Sequence, residues 1–131
     1  MDPATDTERP SGPSAPLEDR NEVHVRGRLS GTPERRVLPS GDEIVSLRVV
    51  VRRPGSSTVD TLPVTLGPAP GPGRRAATGQ VGRRVLAAAE RVPGGATVDI
   101  RGRLHRRWWA AGGARRSRVE IEAARVEVVE G

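Results

Sequence analysis

Val23-His24-Val25-Arg26-Gly27-Arg28-Leu29 returns seventy-five residues later as Val98-Asp99-Ile100-Arg101-Gly102-Arg103-Leu104. Each copy alternates apolar and polar residues, the period-two signature of a strand with one buried face. Each also places glycine where the third inward side chain belongs, which predicts a bulge or a sharp bend. Two copies at this offset are too few and too far apart for a solenoid. The echo reads instead as two neighbouring strands that must curl in the same way.

Outward from these strands the pattern completes a small barrel. Val23, Val25 and Leu29 share one face of the first strand, which starts near Asn21. Residues 30–43 hold Gly31, Pro33, Pro39 and Gly41 and read as a loop, with Ser40-Gly41-Asp42 as its turn. A second strand spans about 44–53, with Val45, Leu47, Val49 and Val51 inward. Pro54-Gly55-Ser56-Ser57 turns the chain into a third strand, where Leu62, Val64 and Leu66 alternate with Thr61, Pro63 and Thr65. Pro63 lacks an amide hydrogen, so it belongs at an edge or a break in pairing. The Gly/Pro alternation at 67–73 reads as an irregular excursion, and a helix fits about 79–92 with Val81, Val85, Leu86 and Ala89 on one stripe. Pro93-Gly94-Gly95 stops that helix. The fourth strand is expected at 96–104 and the fifth at about 117–129, joined by a long hairpin. In the fifth, Val126 and Val128 fall out of phase with Val119, Ile121 and Ala123, which predicts a bulge near Ala124-Arg125. Three strands, a helix and two strands is the element order of an all-β OB-fold, a five-stranded Greek-key barrel with one helix between its third and fourth strands.

Composition sets the limits on function. The 131 residues suit one domain, at 21–131, behind a Pro- and Ser-rich leader at 1–20 that has no apolar periodicity and is expected to be disordered. With no cysteine, disulfides and thiolate metal sites are excluded. No apolar run reaches the length of a membrane span, and the acidic N-terminus does not resemble a secretory signal, so a cytoplasmic protein is expected. Every basic residue other than the two histidines is arginine. Residues 21–131 carry 20 Arg against 11 acids, a surplus of nine. A GC-rich coding bias accounts for arginine in place of lysine but not for that surplus, and arginine suits bidentate phosphate contacts and base stacking.

The second copy of the phrase runs into His105-Arg106-Arg107-Trp108-Trp109, which holds the only aromatic residues of the chain. From Arg101 to Arg118 there are seven arginines and no acid. A solvated face normally mixes signs; one sign folded back as a hairpin concentrates a field suited to a polyanion. Trp108 and Trp109 are adjacent, so a strand points them to opposite sides. The candidate nucleic-acid contacts are Trp108, Trp109, Arg103, Arg106, Arg107, Arg115, Arg116 and Arg118, together with Arg35, Arg36, Arg52 and Arg53 on the first two loops. Arg74-Arg75 and Arg83-Arg84 belong to the helix region and are expected to face solvent. His24 and His105 have no metal or triad spacing. Glu120, Glu122, Glu127 and Glu130 alternate as an exposed face would. No nucleophile–base pair or carboxylate cluster points to an enzyme, and no cofactor, metal or small-molecule substrate is expected.

Asn21-x-Val23-x-Val25-x-Gly27-x-Leu29, then Pro33-Glu34, then Ser40-Gly41-x-x-Ile44, resembles the opening of the bacterial single-stranded-DNA-binding proteins. Gly94-x-x-x-Val98-x-Ile100-x-Gly102-x-Leu104, ending in Arg107-x-Trp109, resembles that family's fourth strand and hairpin. The resemblance spans about residues 21–129. It implies single-stranded DNA held in a basic groove, base stacking on Trp109, a role in replication, recombination or repair, and a homo-oligomer, tetramer or dimer, assembled through barrel strands. Two departures stand out. The family's further aromatic positions fall here on Val50, Thr61 and Gly67, and the sequence ends at Val129-Glu130-Gly131 where the family carries an acidic tail, so a specialised, tail-less paralogue is expected. An OB-fold module that docks on replication or conjugation proteins and an RNA-binding OB protein are the alternative readings.

Overall fold

The computed structural model describes residues 16–69 and 81–130. In chain order the elements are β1 (Val23–Leu29), β2 (Glu34–Val37), β3 (Glu43–Arg52), β4 (Val59–Ala69), α1 (Arg83–Glu90), β5 (Thr97–Ala111) and β6 (Ala114–Glu130). The two echoing phrases lie side by side: β1 pairs antiparallel with β5 from Val23 opposite Gly102 to Arg28 opposite Thr97. At Arg28 and Leu29 the same strand crosses to β3. β3 and β4 form one hairpin and β5 and β6 another, while β4 runs parallel to β6 through Val64–Leu66. The circuit β1-β3-β4-β6-β5 therefore closes on itself as the five-stranded barrel of an OB-fold, with α1 between its third and fourth strands.

Alternation fills the interior. Val45, Leu47 and Val49 of β3, Val64 and Leu66 of β4, Val98 and Ile100 of β5 and Ile121 and Ala123 of β6 are buried in one cluster. Leu86 and Ala89 of α1 join it. An eight-residue helix is unstable alone, so this burial holds α1 in place. Val85, expected on the buried stripe, is exposed, and residues 79 and 80 of the expected helix lie outside the described region.

Gly27 and Gly102 do the work expected of them by close approach. A Cβ on Gly27 would overlap the Val50 carbonyl oxygen and sit 2.8 Å from Val49 Cγ1. A Cβ on Gly102 would overlap the Glu122 carbonyl oxygen and sit 2.8 Å from Ala123 Cα. The expected bulge lies directly across: Arg101 faces Arg125 and Gly102 faces Ala123, which leaves Ala124 without a partner. Pro63 precedes the first β4–β6 pair at Val64, so its missing amide interrupts no bond in that ladder.

Four expectations are corrected. Residues 30–43 are not all loop, because Glu34–Val37 forms β2 on the outer edge of β3. All four of its residues are exposed, so no apolar alternation marks it. The excursion at 67–73 begins later, since Gly67-Pro68-Ala69 extends β4; residues 70–73 lie outside the described region. The fourth and fifth strands do not stop at Leu104 or start at Ser117. They run on to Ala111 and back from Ala114, around a turn of Gly112 (φ 57°) and Gly113 (φ 79°). This arm projects past the barrel, and without a core face its sequence has no apolar alternation. Finally, Glu120 is buried, not exposed, because β4 lies against β6 there.

Two side-chain devices tie the echoing strands together. Asn21 donates from Nδ2 to the Leu104 carbonyl and accepts the Leu104 amide on Oδ1, both at 2.8 Å, so its side chain pairs with β5 like one more residue of β1. Asp99, nearly buried, accepts from His24 Nε2 at 2.9 Å and Arg26 Nε at 3.3 Å. The His24 hydrogen bond, with help from the His24 and Arg26 charges, holds the Asp99 carboxyl below its ordinary value of 3.8. A depressed carboxylate stabilises the fold above its unfolded pKa and loses that contribution as pH falls through the folded value. Asp99→Asn is therefore expected to lower the urea midpoint at pH 7, with the gap from the parent closing below pH 3.8. A gap that stays constant down to pH 2 would exclude the carboxylate as its source.

Candidate nucleic-acid interface

The outward residues of β3 read Ser46, Arg48, Val50 and Arg52, and they stand opposite Thr65, Pro63, Thr61 and Val59 of β4. Ser46, Arg48, Thr61, Pro63 and Thr65 of this surface form the floor of a groove of about 700 Å³, and Val50, Arg52 and Val59 continue the same face beyond it. The β1–β2 segment from Ser30 to Pro33, with Glu34 and Arg36 beyond it, forms one wall, and Arg118 of β6 stands at the other side. Hydroxyls and the guanidinium groups of Arg36, Arg48 and Arg118 dominate the lining, with Glu34 as its one acid and no aromatic ring among them. Val50 and Thr61, two of the positions where the sequence departs from the aromatic residues of the family it resembles, stand directly opposite each other, Thr61 on the floor and Val50 beside it. The third, Gly67, sits at φ 111° with a Cβ position 2.8 Å from the Glu43 carbonyl oxygen, so no side chain fits there.

The arm extends this surface. Arg107 pairs with Arg118 and Trp109 with Arg116, and His105 stands opposite Glu120. Residues directly opposite in an antiparallel ladder share a face, so Trp109, Arg107 and Arg116 lie on the groove side with Arg118. Trp109 is 40% exposed. Beneath them Glu120 accepts a hydrogen bond from the Thr65 hydroxyl at 2.9 Å and lies 3.4 Å from Arg118 and 3.7 Å from Arg107. A buried carboxylate thus fixes two arginines at the groove's edge. Arg103, on the same face, is bound to Glu122 at 2.7 Å.

The strand pleat splits each expected doublet. Arg36 enters the groove; its neighbour Arg35 turns away to Glu43, a buried acid, and to Glu90 of α1 at 3.1 Å. Those hydrogen bonds, Glu43 first, raise the Arg35 pKa and clamp β2 to β3 and the helix. Arg52 is on the groove face, whereas Arg53 grips Asp60 through both carboxylate oxygens, the nearer at 2.8 Å. Arg53 accordingly holds the Asp60 carboxyl below its ordinary range. Trp108, Arg106 and Arg115 occupy the face of the arm away from the groove, as Trp108 stands opposite Ser117 and Ala110 opposite Arg115. Arg83 and Arg84 are exposed on α1, and Arg74 and Arg75 lie outside the described region. Arg48 was missed by sequence reading. Its signal is its outward place on an alternating strand that floors the groove.

Among the described residues no helix is long and apolar enough to cross a membrane. No family model matches the chain, and no curated protein matches it. Among solved structures, a Plasmodium falciparum SSB in complex with ssDNA is similar in fold. It matches 82% of this chain and 90% of its own at a TM-score of 0.55, with 15% of residues identical.

Proposed function

We propose that this OB-fold binds single-stranded DNA with little regard to sequence, and that it does so chiefly through phosphates. The observation that carries the reading is Arg36, Arg48 and Arg118 converging on one concave face that runs into a basic arm ending in Trp109. Neither Arg36 nor Arg48 meets a carboxylate among the described residues. The similar Plasmodium SSB is in complex with ssDNA, which supports the same ligand class. One ring on the groove side limits stacking, which is worth about 1–3 kcal/mol per base. The proposal extends to a bacterial single-stranded-DNA-binding paralogue working in replication, recombination or repair, in the cytoplasm, as a dimer or tetramer.

Titration with oligo-dT, followed by tryptophan fluorescence and light scattering, tests this directly. With about five phosphate contacts and a slope of about −0.7 per contact, affinity should fall about a hundredfold between 50 and 200 mM salt. Trp109→Ala should weaken binding more than Arg83→Ala. Absence of quenching together with salt-insensitive or absent binding would sink the reading. The absence of aromatic side chains at Val50 and Thr61 favours one competing view, an OB module that binds proteins instead of strands. That view gains if oligo-dT does not bind. Competition between matched DNA and RNA oligomers decides the nucleic acid.

A further inference from the structure

The arm has two faces, and the second is not part of the groove. None of residues 105–119 belongs to the barrel core formed by the described residues. On the face away from the groove, Leu104, Trp108 and Val119 are 49%, 50% and 43% exposed. The Arg115 guanidinium lies 4.4 Å from the centre of the Trp108 ring and that of Arg106 lies 6.0 Å away. Arg106 is held by a 2.9 Å hydrogen bond to the Ser117 hydroxyl.

The two faces of the arm differ in how their arginines are paired, Arg116 being the one on the groove side that meets no carboxylate among the described residues. On the groove side Arg103 meets Glu122, and Arg107 and Arg118 share Glu120. On the far side neither Arg106 nor Arg115 meets a carboxylate among the described residues. Two uncompensated cations set against an exposed indole is the combination that binds a single strand, with phosphates on the guanidinium groups and bases on the ring. The tip joining the faces, Ala110-Ala111-Gly112-Gly113-Ala114, holds nothing larger than a methyl group. A strand can round it without meeting a side chain of any length.

We infer that the Trp108–Arg115–Arg106 face is a second contact surface for single-stranded nucleic acid, reached only by strands long enough to leave the groove and turn around the arm. The inference rests on the groove being a single-strand site. It differs in making the arm a post with two working sides, so affinity should continue to rise beyond the length that fills the groove.

The two tryptophans allow each face to be read alone. Trp109→Phe leaves Trp108 as the only indole, and Trp108→Phe leaves Trp109. Oligo-dT of about 8 nucleotides lies within the site size of one OB-fold, and about 30 lies well beyond it. The longer strand should quench Trp108 in the Trp109→Phe protein and the shorter should not, while both should quench Trp109 in the Trp108→Phe protein. Arg115→Ala should cut the affinity ratio of long to short strand about fivefold at 0.1 M salt, the value of one phosphate contact on a single strand. If Trp108 stays unquenched at saturation with the long strand while Trp109 responds, the inference is overturned and the groove reading survives. If Arg115→Ala instead lowers the assembled mass by light scattering and leaves the ratio unchanged, the face joins copies of the chain and the inference is again overturned. If neither indole responds and nothing binds, both fall.

Discussion

Gly102→Ala is expected to cost about 3 kcal/mol, at the upper end for overpacking a core site, and to lower the melting temperature by about 15 °C. The added methyl would meet the Glu122 carbonyl oxygen and the Ala123 Cα, both backbone, so no rotamer change relieves the overlap. Relief requires β6 to move away, which opens the pairing beside the Ala124 bulge and pulls Ile121 and Ala123 out of the core. For a domain whose whole stability is about 5–15 kcal/mol, that loss is severe. Gly82→Ser supplies the contrast. Gly82 is the N-cap of α1, has open space around its Cβ position and makes no side-chain cap bond, so serine there should be neutral or slightly stabilising. Thermal unfolding of the two variants checks the pair. An unchanged melting temperature for Gly102→Ala would mean that β6 does not pass over β5 at this point.

Removing Arg36, Arg48 and Arg118 together, each to alanine, should reduce affinity for single-stranded DNA about a hundredfold at 0.1 M salt. The plot of log affinity against log salt should flatten by about 2, since each lost contact removes about 0.7 from the slope. Net charge alone would give some loss, so the matching control is Arg20, Arg53 and Arg125 to alanine. These three carry the same charge but are paired at the surface with Glu22, Asp60 and Glu127. Surface pairs of this kind contribute little to stability, so the control protein should fold normally and bind within about threefold of the parent. Equal losses in the two triple variants would assign binding to the diffuse field of the molecule and not to the groove.

The parts of the fold that were legible in sequence are those with a core on one side. β1, β3, β4 and the barrel half of β5 alternate because each inward position is occupied by another strand's side chain, and the slip at Ala124 was legible for the same reason. β2 and the arm have no such partner face. Their backbone is ordered by cross-strand hydrogen bonds, which leave no trace in the choice of side chains. The site divides along the same line. Composition revealed a cationic surface, the arm showed where it concentrates, and strand alternation already parted Trp108 from Trp109, but the doublets Arg35-Arg36 and Arg52-Arg53 needed the pleat to separate them. Arg35 and Arg53 found carboxylates on the far side of their strands, at Glu43, Glu90 and Asp60, which sequence distance concealed. Arg48 went unread because it stands alone between apolar neighbours.

The Asn21 side chain has a mechanical consequence. Among the described residues it makes the last cross-link between β1 and β5, at Leu104, and beyond that residue β5 pairs with β6 alone. Leu104 is therefore a fulcrum, and the eight residues from it to Ala111 form a cantilever of about 25 Å. Its stiffness comes from a single ladder. Losing one amide at position 21 would move the fulcrum two residues back toward Gly102, where the strands are most sharply bent, and lengthen the lever that carries both tryptophans.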